Sequence, residues 1–202
     1  MTSEASHRLY GEKVGEALAY AAEVHSCQMR KGKIEPYLSH VLRVSGLVAH
    51  YGGDEEQIIA GVLHDAAEDQ GGEERLADIA RRFGPKVERL VRRLSDSLAP
   101  TGAEKAPWRE RKEEYLAHLT DDDPDGSHLV AACDKLANLQ DIVEDLQALG
   151  PEGVFGRFKG GADGTRWFYG QLGELLIPQV PQMVGEYQRL LSLLLADEED
   201  AR

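Results

Sequence analysis

Ile58-Ile59-Ala60-Gly61-Val62-Leu63-His64-Asp65-Ala66-Ala67-Glu68-Asp69 is the stretch on which the reading of this 202-residue chain turns. Its first half has the apolar character of a buried segment. A histidine, an aspartate and, one turn on, a second acidic pair therefore arrive at the inner end of a core helix. Burying ionised carboxylates is costly unless they are paired or bound to metal. The cluster asks for a cation.

Further ligands can be sought on either side. Upstream, Pro36 stands just before the first turn of a helix in which Leu38, Val41, Leu42, Val44, Leu47 and Val48 trace an apolar face, with Ser45 the exception and His40 at its edge. Downstream, Val130-Ala131-Ala132-Cys133 leads to Asp134, again an acid at the end of an apolar run. His40, His64, Asp65 and Asp134 would bring imidazoles and carboxylates together from separate helices. Such mixed donors suit manganese first, with iron or zinc as alternatives, better than calcium, and no thiolate set points to structural zinc. Taken singly, each residue has a plainer reading as a hydrogen-bonded core histidine or a solvated helix end. Their order on apolar helices favours metal.

The remaining sequence is helical throughout. Residues 11–30 are rich in Ala, Glu, Leu and Val without proline and predict one long first helix. Gly52-Gly53 ends the second helix. Asp54 with Gln57 three residues on forms a variant capping box, opening a helix over 54–67. Further helices are expected near 73–83, 85–97, 104–119, 127–148 and 180–196. Gly71-Gly72, Pro85 and Pro124 punctuate them, and no sustained β alternation appears. The glycines between 150 and 164 imply loops between short helical pieces. That region also supplies Arg157, Lys159, Arg166, Trp167 and Tyr169, cations and rings able to close over an anionic ligand.

Length and a 42% hydrophobic content fit one domain, 1–202, with a sizeable core and flexible ends at about 1–8 and 197–202. No apolar run approaches the ~20 residues that span a bilayer, and no secretory segment is evident. Cys27 and Cys133 read as reduced thiols in a cytoplasmic protein. A net charge of −13 opposes binding to a nucleic-acid polymer, although a small nucleotide can still bind where Arg30, Lys31 and Lys33 concentrate positive charge. Oligomeric state has no signal in the sequence.

His25-Ser26-Cys27-Gln28-Met29-Arg30-Lys31-Gly32 followed by Pro36-Tyr37-Leu38-Ser39-His40 resembles the opening of the hydrolase domain of the RelA/SpoT family. His64-Asp65 and Glu68-Asp69 resemble its HD and ED motifs. Asp134-Lys135-Leu136-Ala137-Asn138-Leu139-Gln140-Asp141 is similar to its third motif, with Gln140 where the family usually has arginine. The resemblance spans roughly residues 10 to 145. It implies an all-α HD-domain helical bundle and a stand-alone alarmone hydrolase, a metal-dependent guanosine-3′,5′-bis(diphosphate) 3′-pyrophosphohydrolase.

By that resemblance Glu68 and Asp69 are the catalytic pair, acting on water or on the leaving group. Arg30 and Lys31 would border the nucleobase, Asn138 the ribose and phosphates, and Lys112 a phosphate. Arg166 and Tyr169 are the nearest match to a basic residue and a tyrosine that contact substrate. Two rivals stand beside this reading: an HD phosphatase acting on another small nucleotide, and a catalytically idle nucleotide sensor. Release of pyrophosphate rather than orthophosphate separates the first, and turnover separates the second.

Overall fold

The computed structural model describes residues 10–95, 97–98 and 106–196. Among these every regular element is a helix, and an isolated antiparallel bridge joins Met29 and Pro36. Helices α1 (Glu12–Val24), α2 (Leu38–His50) and α3 (Glu55–Leu63) open the bundle. The single turn α4 (Ala66–Asp69) and the helices α5 (Gly72–Phe83) and α6 (Pro85–Leu94) follow. The chain continues through α7 (Trp108–His118), the long α8 (Ser127–Phe155) and α9 (Gly161–Leu175). Two 3₁₀ turns, Ile177–Gln179 and Pro181–Met183, lead into α10 (Val184–Ala196). The ends expected to be flexible, 1–8 and 197–202, lie outside the described residues. No described helix is long and apolar enough to cross a membrane.

Helix α3 is the hub. Every residue from Ile58 to Leu63 is buried, and α3 packs against α1, α2, α6 and α8, as a helix apolar on all sides must. Its start is held by the expected capping box: Asp54 accepts from Gln57 N at 2.8 Å while Gln57 Oε1 accepts from Asp54 N at 2.9 Å. Gly61 sets the approach of α2, since a Cβ there would stand 3.3 Å from Ser45 Cα. Truncating a side chain such as Leu63 in this layer would cost about 2–5 kcal/mol.

Several boundaries depart from the sequence reading. The first helix ends at Val24 instead of continuing to 30, because Gln28 and Arg30 turn away to partners 41 and 111 residues distant. The helix expected over 54–67 breaks at His64 and resumes at Ala66, which lets consecutive polar side chains face one centre. The 85–97 helix stops at Leu94, the 104–119 helix spans 108–118, and α10 begins at 184 after the two 3₁₀ turns. Helix α8 runs as predicted until Gly150, whose φ of 70° suits glycine, kinks it ahead of Pro151. The largest difference is α9: one 15-residue helix occupies ground where loops between short helical pieces were expected. Its glycines have low helix propensity, but Thr165, Phe168, Tyr169 and Leu172 bury one face, and tertiary packing prevails.

Candidate metal centre and cleft

His40 comes from α2, His64 and Asp65 from the break between α3 and α4, and Asp134 from α8. The fold brings all of them together. One donor atom each of His40, His64 and Asp65 lies within 4.8 Å of the others. Asp134 Oδ1 stands 3.2 Å from His40 Nε2 and 3.6 Å from His64 Nε2. His64 Nε2 lies 2.9 Å from Asp65 Oδ2. Both imidazoles are buried at 2–3% exposure, so solvent screens them poorly.

The chemistry of His64 tests whether a cation fits here. Its Nδ1 is 2.9 Å from the Gly61 carbonyl, which can only accept, so the ring proton sits on Nδ1. That leaves the buried Nε2 with no hydrogen-bond partner, its lone pair facing carboxylate oxygens. Lone pairs converging in a buried space repel unless a positive charge stands among them. A proton or a metal cation satisfies the arrangement, and the carbonyl behind Nδ1 is the kind of outer partner that orients ligand histidines.

Electrostatics agree. Burial works against a charged His64, but Asp65 and Asp134 outweigh it and hold its pKa well above the ordinary value. Burial dominates at His40 and lowers it. Asp134 is held well below the carboxylate range despite burial, with Lys135 the foremost opposing influence, and Asp65 is likewise depressed by His64.

Glu68 and Asp69 are half-buried and line a cleft of about 600 Å³. Asp69 Oδ2 accepts from Gln28 Nε2 at 2.7 Å, and burial together with the nearby Asp65 charge raises its pKa. The same cleft is lined by Lys31, Lys112, Asn138 and Tyr169. A smaller neighbouring cleft of about 240 Å³ shares Lys31, Asn138 and Tyr169 and adds Arg30. Arg30 is not idle there: its guanidinium donates to Asn138 and Asp141 and lies 5.7 Å from the Tyr37 ring centre.

Arg166 is the exception among the sequence candidates. Its Nε donates to Leu194 O at 3.3 Å, its guanidinium sits 5.0 Å from the Phe155 ring, and it lines neither cleft. The reason is helical phase: Thr165, Phe168 and Tyr169 share the inward face of α9, and position 166 points elsewhere. Arg111, Lys135 and Lys159 line the larger cleft instead.

Sequence reasoning also passed over Tyr37, whose hydroxyl donates to Asp65, and Gln28, which holds Asp69. Both sit inside the 25–40 segment, but uncharged residues in a loop carry no periodic or charge signal. Lys135 had one: a cation directly after Asp134 on an apolar helix. Gln140 lies away from the His40–His64–Asp65–Asp134 cluster, donating to Glu186 Oε1 at 2.7 Å across the α8–α10 contact.

Comparisons with known proteins fit this geometry. The family model described as HD domain matches residues 17–149. Over 145 residues the chain is 32% identical to the Mus musculus guanosine-3′,5′-bis(diphosphate) 3′-pyrophosphohydrolase MESH1, covering 70% of this chain and 73% of that protein. The Drosophila melanogaster MESH1 is 35% identical over 133 residues, 64% of this chain and 69% of that one. Among solved structures, a metazoan ortholog of SpoT described as hydrolysing ppGpp superposes with a TM-score of 0.70 at 28% identity, covering 91% of this chain and 97% of that chain. A Listeria monocytogenes EGD-e protein superposes with a TM-score of 0.64 at 29% identity, covering 80% of this chain and 99% of that chain.

Proposed function

Because the chain belongs to the HD-domain family, we propose that it is a metal-dependent phosphohydrolase that cleaves guanosine 3′,5′-bis(diphosphate) at the 3′ position and releases pyrophosphate. The observation that carries this reading is the buried His40–His64–Asp65–Asp134 cluster, with the acids Glu68 and Asp69 one turn beyond it on the wall of a cation-lined cleft.

The reaction adds water to the phosphorus bonded to the ribose 3′ oxygen. The P–O3′ bond breaks, diphosphate departs with the water oxygen, and the 3′ oxygen takes up a proton. A divalent cation held by His40, His64, Asp65 and Asp134, manganese before iron or zinc, would lower the pKa of water and polarise the phosphorus centre. Asp69, a stronger base than a surface carboxylate for the reasons given above, is suited to take the water proton, and Glu68 stands ready to serve the leaving oxygen. Gln28 fixes Asp69, and Tyr37 fixes Asp65, so neither carboxylate must be ordered during the reaction.

A −13 protein repels a polyanion at long range. Binding therefore depends on Lys31, Lys112, Lys135, Arg111 and Lys159, all within the larger cleft, whose about 600 Å³ suits a nucleotide. Tyr169 and Arg30 would border the base. The two free thiols, one exposed and one buried, accord with a cytoplasmic location.

The test is to incubate the purified protein and Mn²⁺ with a panel of nucleotides. Guanosine 5′-diphosphate and pyrophosphate appearing from the bis(diphosphate), and stopping on chelation, is the expected result. Orthophosphate from a different nucleotide, with the bis(diphosphate) untouched, would overturn the substrate assignment.

A further inference from the structure

Asp134, Asn138 and Asp141 recur at i, i+4 and i+7 on α8 and so share one face. Side chains on this face form a continuous chain of hydrogen bonds. Asn138 Nδ2 donates to Asp134 Oδ1 at 2.7 Å. Asn138 Oδ1 accepts from Arg30 Nη2 at 2.9 Å, and the same guanidinium donates to Asp141 Oδ2 at 2.7 Å. Arg43 closes the far end on Asp141 Oδ1. A carboxylate only accepts and a guanidinium only donates, so the orientation of the Asn138 amide is fixed by its neighbours.

We propose that Asn138 is a positioning residue that couples occupancy of the His40–His64–Asp65–Asp134 site to the placement of Arg30 at the cleft. This rests on reading that cluster as the metal site. Asp134 Oδ1, the oxygen Asn138 holds, is also the oxygen nearest both histidines. Lys135 holds the other oxygen. Asn138 thus determines how the carboxylate presents itself to the histidines, while its second end sets one of two anchors of Arg30. Asp134 and Asp141 are only 6% and 7% exposed, so these bonds act in a poorly screened environment. Asp134 and Arg30 each engage one end of its amide, so Asn138 acts through its neighbours besides lining both clefts, where the family resemblance implies direct substrate contact. Coupling of this kind is reciprocal: fixing Arg30 tightens the metal site, and filling the metal site fixes Arg30.

The experiment is a double-mutant cycle read out as Mn²⁺ affinity without nucleotide, by competition with a metallochromic chelator. The proteins are wild type, Asn138→Ala, Arg30→Met and the double variant, with Asn138→Ser replacing Asn138→Ala should the latter not fold. Asn138→Ala should weaken Mn²⁺ binding about 10–100-fold, as expected for an outer partner of a ligand. Removing the Arg30 charge acts on the metal equally in both backgrounds and cancels from the cycle. The remaining effect of Arg30→Met should differ about 3- to 10-fold between the wild-type and Asn138→Ala backgrounds. Equal effects in the two backgrounds, with Asp65→Ala still abolishing Mn²⁺ uptake, would overturn the bridge and leave the metal site standing. A wild-type protein that takes up no Mn²⁺ would overturn both.

Discussion

Replacing Asp69 by asparagine separates chemistry from structure at this site. The substitution keeps the shape of the side chain, and its amide oxygen can still accept the Gln28 amide now 2.7 Å from Asp69 Oδ2. The effect on folding should therefore stay within about 1 kcal/mol, the worth of one ordinary hydrogen bond. The donor atoms that converge within 4.8 Å belong to His40, His64 and Asp65, not Asp69, so metal content should be unchanged. What disappears is the ability to exchange a proton at a position where burial and Asp65 have raised carboxyl basicity. A proton-transfer group contributes about 10²–10⁴-fold. At about 1.36 kcal/mol per decade, Asp69→Asn should thus raise the barrier by about 2.7–5.4 kcal/mol. Initial rates of pyrophosphate release, elemental analysis of the purified protein and a urea titration together decide it. Turnover within about threefold of wild type would refute the assignment of Asp69. A variant that loses metal in proportion to activity would instead move this carboxylate into the ligand set.

Three further outcomes are expected. Asp65→Ala, which removes an oxygen 2.9 Å from His64 Nε2, should lose bound metal and turnover together, and stoichiometric manganese in that variant would refute the centre. Lys112→Ala should raise KM about tenfold or more while Lys112→Arg stays much closer to wild type, because charge is what a phosphate reads; identical KM values would remove Lys112 from the cleft's function. Asp123 accepts the Ser127 and His128 amides at 2.7 Å, satisfying the first turn of α8, and these bonds, against its burial, hold its pKa below the ordinary value. A depressed folded-state pKa gives stability that is present above the unfolded-state value, near 3.8, and is lost as pH falls through the folded value. Asp123→Ala should cost about 0.5–2 kcal/mol at pH 7 and show a shallower acid-side decline than wild type, read from urea midpoints at neutral and acid pH; parallel declines would count against it.

Much of this protein follows from interactions within a few residues. The apolar run Ile58–Leu63 needs no partner to declare itself a buried helix, and Asp54 with Gln57 caps it by contacts three residues apart. Pro85 begins α6 and Gly150 kinks α8 through their own backbone preferences. The convergence of His40, His64, Asp65 and Asp134 was legible too, because acids beside histidines on apolar helices announce an electrostatic demand wherever the helices finally meet.

Only tertiary structure decided the rest. Gln28 and Arg30 leave a sequence that favours helix because their partners, Asp69 and Asp141, lie far along the chain. Helix α9 forms in spite of its glycines because Phe168, Tyr169 and Leu172 find a core to bury against. That packing fixes the helix's rotation, and rotation turns Tyr169 to the cleft and Arg166 to Leu194. Asn138 shows the difference most plainly. Its place one turn after Asp134 is written in the sequence, but both ends of its amide are committed only when the 25–37 loop swings Arg30 across α8. Helix caps and periodicity are local energies, set by residues within a turn of one another. Which donor meets which acceptor across helices is set by the whole fold.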